Sequence, residues 1–149
     1  MIVETLKTLF SRDLNRLKKE IELYQNEKDL WIINKGIANS AGNLCLHLAG
    51  NLNHFIGAVL GNTSYIRKRE QEFLLKDISK EELIKSIEET ITIVERTLNN
   101  ITAEQMQSEY PVLVFETKTS TEYFLVHLAT HLSYHLGQIN YHRRLLDAV

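Results

Sequence analysis

The sequence predicts an all-α protein, and three observations carry that expectation. Apolar residues recur at steps of three and four through long stretches, the period of one buried helix face. Nowhere do strand-like and helix-like patterns alternate as they would around a parallel sheet. Two of the stretches, Asn43–Tyr65 and Tyr123–His142, contain no Asp, Glu, Lys or Arg, as expected of helices that are central or that face another subunit. The chain of 149 residues is long enough to bury a core without disulfides, so one helical domain spanning residues 1–149 is expected.

In the first helix, Leu6, Phe10, Leu14, Leu17, Ile21 and Tyr24 draw one apolar stripe, with most charges on other faces. A connector follows, in which Trp31-Ile32-Ile33 reads as a plug over the end of the helices, and Gly36 and Asn39 as turn formers. Ser40 is the expected N-cap of a second helix running from about Ala41 to Leu60, with Leu44, Leu48, Leu52, Phe55 and Val59 on its packing side. Gly42, Gly50 and Gly57 lower its helix propensity but permit close approach of neighbours. Residues 62–78 form a long link with room for a short helix.

Ser79 and Glu82 read as a capping box for a third helix carrying Ile84, Ile87, Ile91, Val94, Leu98 and Ile101. Thr102 and Gln105 offer a second box. Pro111 opens a Val112–Phe115 run too short for a helix, read as extended: an arm of a small hairpin or a strap. Thr119 and Glu122 are the expected cap of the last helix, with Phe124, Leu128, Leu132, Leu136 and Ile139 facing inward.

Composition narrows the function. A net charge of -2 gives no basic footprint for nucleic acid. The single cysteine, Cys45, excludes an intrachain disulfide and fits a reducing cytoplasm; no signal peptide is read at the N-terminus. Tyr123–His142 is long enough to span a membrane, but four histidines together with Thr, Ser, Gln and Asn are costly against lipid, so no membrane partner is expected. The two charge-free helices instead predict a homodimer with a mildly polar interface.

Chemistry concentrates in histidine. His127, His131 and His135 recur every four residues, and residues four apart share a helix face, so His131 and His135 can point at one metal ion. His47, in the other charge-free stretch, is the candidate third ligand; three imidazoles leave positions open for water or substrate. His127 and His135 lie about 80° apart around the helix axis, which places His127 in the core or behind the ligands. His54 could line the same cavity, and His142 reads as terminal surface or interface. The residues between His131 and His135 include no Glu, so the HExxH signature of zinc proteases is absent. Gln138 and Asn51 could each hydrogen-bond an imidazole or simply join helices. Cys45 reads as a small buried hydrophobe, and Arg67, Lys68 and Arg69 as solvated loop charge, with a carboxylate-binding role as the sharper option.

Leu46–Gly57 (LHLAGNLNHFIG) and His131–Ile139 (HLSYHLGQI), together with NSAGNL at Asn39–Leu44 and RKREQEF at Arg67–Phe73, resemble the DinB-like superfamily of metal-dependent helical proteins. The resemblance implies an up-down-down-up four-helix bundle with a short fifth helical element, often dimeric. It implies a three-histidine site at His47, His131 and His135, holding zinc, nickel or iron. Relatives include S-transferases that use a low-molecular-weight thiol and a maleylpyruvate isomerase. The expected function is therefore a metal-dependent transferase with a thiol activated at that site and a small-molecule substrate, entry being gated by Tyr65 or Val112–Phe115. The alternative is a non-catalytic, stress-associated metal-binding dimer.

Overall fold

The computed structural model describes residues 1–34 and 36–148. Its elements are α1 (Ile2–Leu23), a 3-10 turn (Glu27–Trp31), α2 (Ala41–Leu52) running into a π-helical segment (Asn53–Ala58), α3 (Arg69–Leu74), α4 (Lys80–Asn100), α5 (Ala103–Gln107) and α6 (Thr121–Leu146). The protein is all-helical, with no strand among the described residues. α1 packs against α4 and α6, and α2 packs against the same two helices. The α1 stripe is buried throughout, from Leu6 to Tyr24, against Leu83, Ile87, Val94 and Leu98 of α4 and Leu125, Leu128 and Leu132 of α6.

Caps form where short polar side chains precede an apolar period. Ser40, Ser79 and Thr102 accept from the backbone N–H groups of Asn43, Glu82 and Gln105, and at Thr102 the Gln105 side chain answers in a full reciprocal box. The last helix starts one residue later than expected: Ser120, not Thr119, is the cap, accepting from Tyr123 N–H. The plug before α2 is also shifted. Leu30 is fully buried, Trp31 and Ile32 are partly covered, and Ile33 is exposed. The Trp31 ring lies where a Cβ on Gly42 would sit, 2.7 Å from it, so that glycine admits the ring.

The second helix departs most from the expectation. Beyond Leu52 the backbone widens into i→i+5 bonding, with Val59 N–H donating to His54 O. More residues per turn keep a step of four on one face, so Ile56 follows Leu44, Leu48 and Leu52 into the core, while Phe55 is only half-buried. Leu60 N–H bonds to Ile56 O, which leaves the Phe55 carbonyl to the Tyr110 hydroxyl, at 2.6 Å. That bond ties the segment before α6 to α2. Val112–Phe115 is exposed and forms no strand, with bends at Val112 and Phe115; the base of the segment is closed by an isolated antiparallel bridge between Glu109 and Ser120.

The link between α2 and α4 is anchored rather than loose. Asn43 Nδ2 donates to the carbonyls of Glu72 and Leu75 at 2.9 and 2.8 Å, satisfying oxygens that the short α3 leaves without helical partners. Lys76 Nζ donates to Asn43 Oδ1 at 2.6 Å. α3 is thereby laid along α2, over His47. No helix among the described residues is long and apolar enough to cross a membrane.

Candidate metal centre

α2 supplies His47, and one turn of α6 supplies His131 and His135. One ligand nitrogen from each lies within 4.8 Å of the others, close enough to hold a metal ion. His131 Nε2 is the hub, 3.3 Å from His47 Nε2 and 3.1 Å from His135 Nε2. His47 is buried and the other two are half-buried. Among the described residues no Cys, Asp or Glu joins this group, so protein atoms offer three ligands and leave the rest of a coordination shell open.

The hydrogen bonds outside the trio determine what faces inward. His47 Nδ1 is 3.0 Å from Glu72 Oε1, and a carboxylate can only accept, so Nδ1 carries the proton and Nε2 a lone pair. His135 Nδ1 is 2.6 Å from Gln138 Oε1, with the same consequence. Two lone pairs therefore point at His131 Nε2, while His131 Nδ1 is buried with no hydrogen-bond partner among the described residues. A proton on His131 Nε2 serves one neighbour well, not two. A divalent cation accepts from all three nitrogens at once, and an imidazole donor set suits zinc, nickel or iron. The residues fit a transition metal.

Charge and burial favour the ligating form. His131 is depressed to about 4, first by burial and then by the neighbouring imidazoles of His135 and His47. His135 is also lowered, by burial in the main and by His47, against the opposing hydrogen bond with Gln138. Both are neutral near pH 7. Burial alone would raise Glu72, but hydrogen bonds from His47 and Arg67, reinforced by the Arg67 charge, more than offset it and hold Glu72 below the ordinary carboxylate value.

The other sequence candidates fall on both sides of the expectation. His127 stands outside the trio, its ring 6.3 Å from that of His131 and 4.8 Å from Phe115. His54 is half-buried against Phe55, at 4.7 Å, and is not in the ligand group. His142 is not surface. It is buried, with Nδ1 accepting from the Tyr24 hydroxyl at 2.7 Å and Nε2 donating to Ile32 O at 2.8 Å. Gln138 orients His135, whereas Asn51 Oδ1 is buried with no hydrogen-bond partner among the described residues. Cys45 is buried, and burial pushes its thiol up to about 12, so it is no nucleophile.

Arg67 is not solvated loop charge. Its Nε and Nη2 donate to the two oxygens of Glu72, each at 2.9 Å, and its guanidinium lies 5.6 Å from the centre of the Phe55 ring. Lys68 and Arg69 remain exposed. Glu72 itself escaped the sequence reading, because no helical spacing links residue 72 to residue 47. Only the reach of α3 back along α2 joins them.

Two recesses flank the centre. One of about 370 Å³ runs beside Gly50, Tyr65, Lys68 and Glu72. The other, about 410 Å³, is lined without formal charge by Ile37, Leu44, His135, Gln138, Tyr141 and Leu145 among others.

Residues 2–148 match a family described as "Protein of unknown function (DUF1572)", which is DinB-like. No curated protein matches the chain.

Proposed function

The chain belongs to the DUF1572 family, and from that premise we propose that it is a metal-dependent transferase using a low-molecular-weight thiol. The observation that carries the reading is the three-nitrogen cluster of His47, His131 and His135, joined by no fourth His, Cys, Asp or Glu among the described residues. A structural ion is ordinarily closed in by four protein atoms, whereas an open shell admits an external ligand. A zinc, nickel or iron ion held there would supply Lewis acidity, lowering the pKa of a thiol that reaches it so that sulfur attacks as thiolate. The protein's part is to keep His131 and His135 unprotonated near neutral pH, to orient His47 through Glu72 and His135 through Gln138, and to offer a small electrophile the uncharged recess beside His135.

The same reading includes an up-down-down-up four-helix bundle as one cytoplasmic domain, paired as a homodimer. The outward face of α6 supports the pairing: Tyr123, Val126, Tyr134 and Tyr141 are exposed along it, and Gly137 has open space beside it. An uncharged strip of this kind is what a self-complementary contact uses. A second reading is a non-catalytic dimer in which the ion ties α2 to α6, favoured by the ligands coming from those two helices alone.

Cobalt(II) substitution separates the two. If the shell is open to a thiol, titrating glutathione, bacillithiol or cysteine into the cobalt form gives a sulfur-to-metal charge-transfer band and a changed visible spectrum. A spectrum indifferent to every thiol, with cobalt raising the melting temperature, would remove the transferase and leave the structural ion.

A further inference from the structure

Glu72 is a buried carboxylate that contributes no atom to the ligand cluster, and an ionised group in that position is costly unless something holds it. Three separate devices hold it. Arg67 grips both oxygens in a two-pronged ion pair, with the guanidinium itself largely covered. Asn43 fixes the backbone of α3 by bonding the Glu72 and Leu75 carbonyls. Gly50 leaves the space into which the carboxylate projects, and a Cβ there would strike Oε2. Everything about the placement serves one outward contact, from Glu72 Oε1 to His47 Nδ1 at 3.0 Å.

That contact has a chemical consequence. An acceptor fixed at Nδ1 commits His47 to the Nδ1–H tautomer, turns its Nε2 lone pair toward His131 and makes that nitrogen a stronger donor. The arrangement is unequal within the trio: His135 is oriented by the neutral amide of Gln138, and His131 has no such partner at Nδ1 among the described residues. Arg67 cancels the carboxylate charge, so the pair orients His47 without adding net charge beside the cluster.

We propose that Glu72, held by Arg67 and admitted by Gly50, is the positioning residue that fixes His47 for metal capture. The inference rests on the reading that His47, His131 and His135 bind a metal, and it goes further by making the ion-paired carboxylate a determinant of affinity. It also assigns work to the Arg67–Phe73 stretch, from which Arg67 Nη2 reaches within 3.4 Å of His47 Nδ1 as well as gripping Glu72.

The test uses the full chain, with cobalt(II) as probe, followed by visible absorption. Gly50→Ala is the most telling variant, because alanine favours the helix more than glycine while its methyl displaces the movable Glu72 carboxylate. Gly50→Ala and Glu72→Leu are each expected to weaken cobalt binding by about 10–100-fold, with helical circular dichroism retained. Glu72→Gln keeps an acceptor oxygen and is expected to lose less than Glu72→Leu.

Long-range nitrogen–proton spectra of the metal-free protein give an independent readout. His47 is expected as the Nδ1–H tautomer in the wild type and as a mixture in Gly50→Ala, a change that a merely structural role would not produce. Wild-type cobalt affinity in both Gly50→Ala and Glu72→Leu, or an Nε2–H tautomer of His47 in the wild type, would overturn this proposal and leave the metal reading standing. A wild type that takes up no cobalt would overturn both.

Discussion

α6 carries histidines at both of its ends, and the two ends treat them oppositely. At the C-terminal end His142 has both ring nitrogens occupied by protein partners, the Tyr24 hydroxyl and the Ile32 carbonyl. Around it the chain is fastened further: Arg143 Nε donates to Glu20 at 2.7 Å, and Asp147 accepts from the backbone N–H groups of Gln25 and Asn26. Nearer the N-terminal end, His131 has one nitrogen without a partner among the described residues and the other aimed at two more imidazoles. A histidine whose two nitrogens are answered by a hydroxyl and a carbonyl is a strut. One whose neighbours offer it only lone pairs is placed where a cation could sit. Residue type alone would not separate them; the partners do.

Substitutions at the two ends should therefore fail in different ways. His131→Ala is expected to cut metal affinity by more than about 100-fold, beyond the loss of an outer hydrogen-bond partner, while the metal-free melting temperature barely moves. His142→Leu should do the reverse. It strands the Tyr24 hydroxyl and the Ile32 carbonyl and lowers unfolding free energy by about 2 kcal/mol, with cobalt binding unchanged in a titration. Tyr24→Phe removes one of those bonds and should cost about 1 kcal/mol, read by urea denaturation. Equal loss of metal binding in His131→Ala and His142→Leu would erase the distinction between strut and ligand.

Acid sharpens the comparison with a smaller effect. His131 is depressed to about 4 in the folded chain and returns to an ordinary value near 6.5 on unfolding. Between those values the unfolded state binds more protons, so the metal-free fold loses stability as pH falls from about 6.5 and reaches a floor below about 4. Half-exposure of the ring tempers the size of the drop. His131→Ala should flatten that part of the stability–pH curve, measured by thermal melts. Saturating metal should steepen it and carry it below about pH 4, because the bound nitrogens stay unprotonated in the folded state while the unfolded chain takes up protons.

That His47, His131 and His135 come close enough to hold a metal ion could be read from the sequence for a simple reason. His131 and His135 are joined by helical spacing, and His47 sits on the other stretch without charges, where few residue types can ligate. The apolar faces of α1, α4 and α6 were legible in the same way, since a period survives any arrangement of neighbours. What stayed hidden depends on chain reversal. Tyr24 and His142 meet across 118 positions, and Glu72 reaches His47 only because a six-residue helix folds back along α2. The π segment was hidden differently: replacing Phe55 by Ile56 on the buried face needs a change of winding that the apolar pattern does not announce. At Val112–Phe115, proline and apolar residues suggested extension, but no second strand among the described residues lies beside them to complete a ladder.

That apolar insert has a property of its own. Tyr110 N–H donates to Thr119 O and Thr121 N–H to Ser108 O, each at 2.8 Å, so the chain is knotted at its neck before α6 begins. Residues 111–118 are consequently a cassette closed at its base, and its one aromatic ring, Phe115, rests against Phe124 and His127 of α6. A designer wishing to graft a new recognition segment would choose that point of entry, keeping Phe115 as the anchor on Phe124.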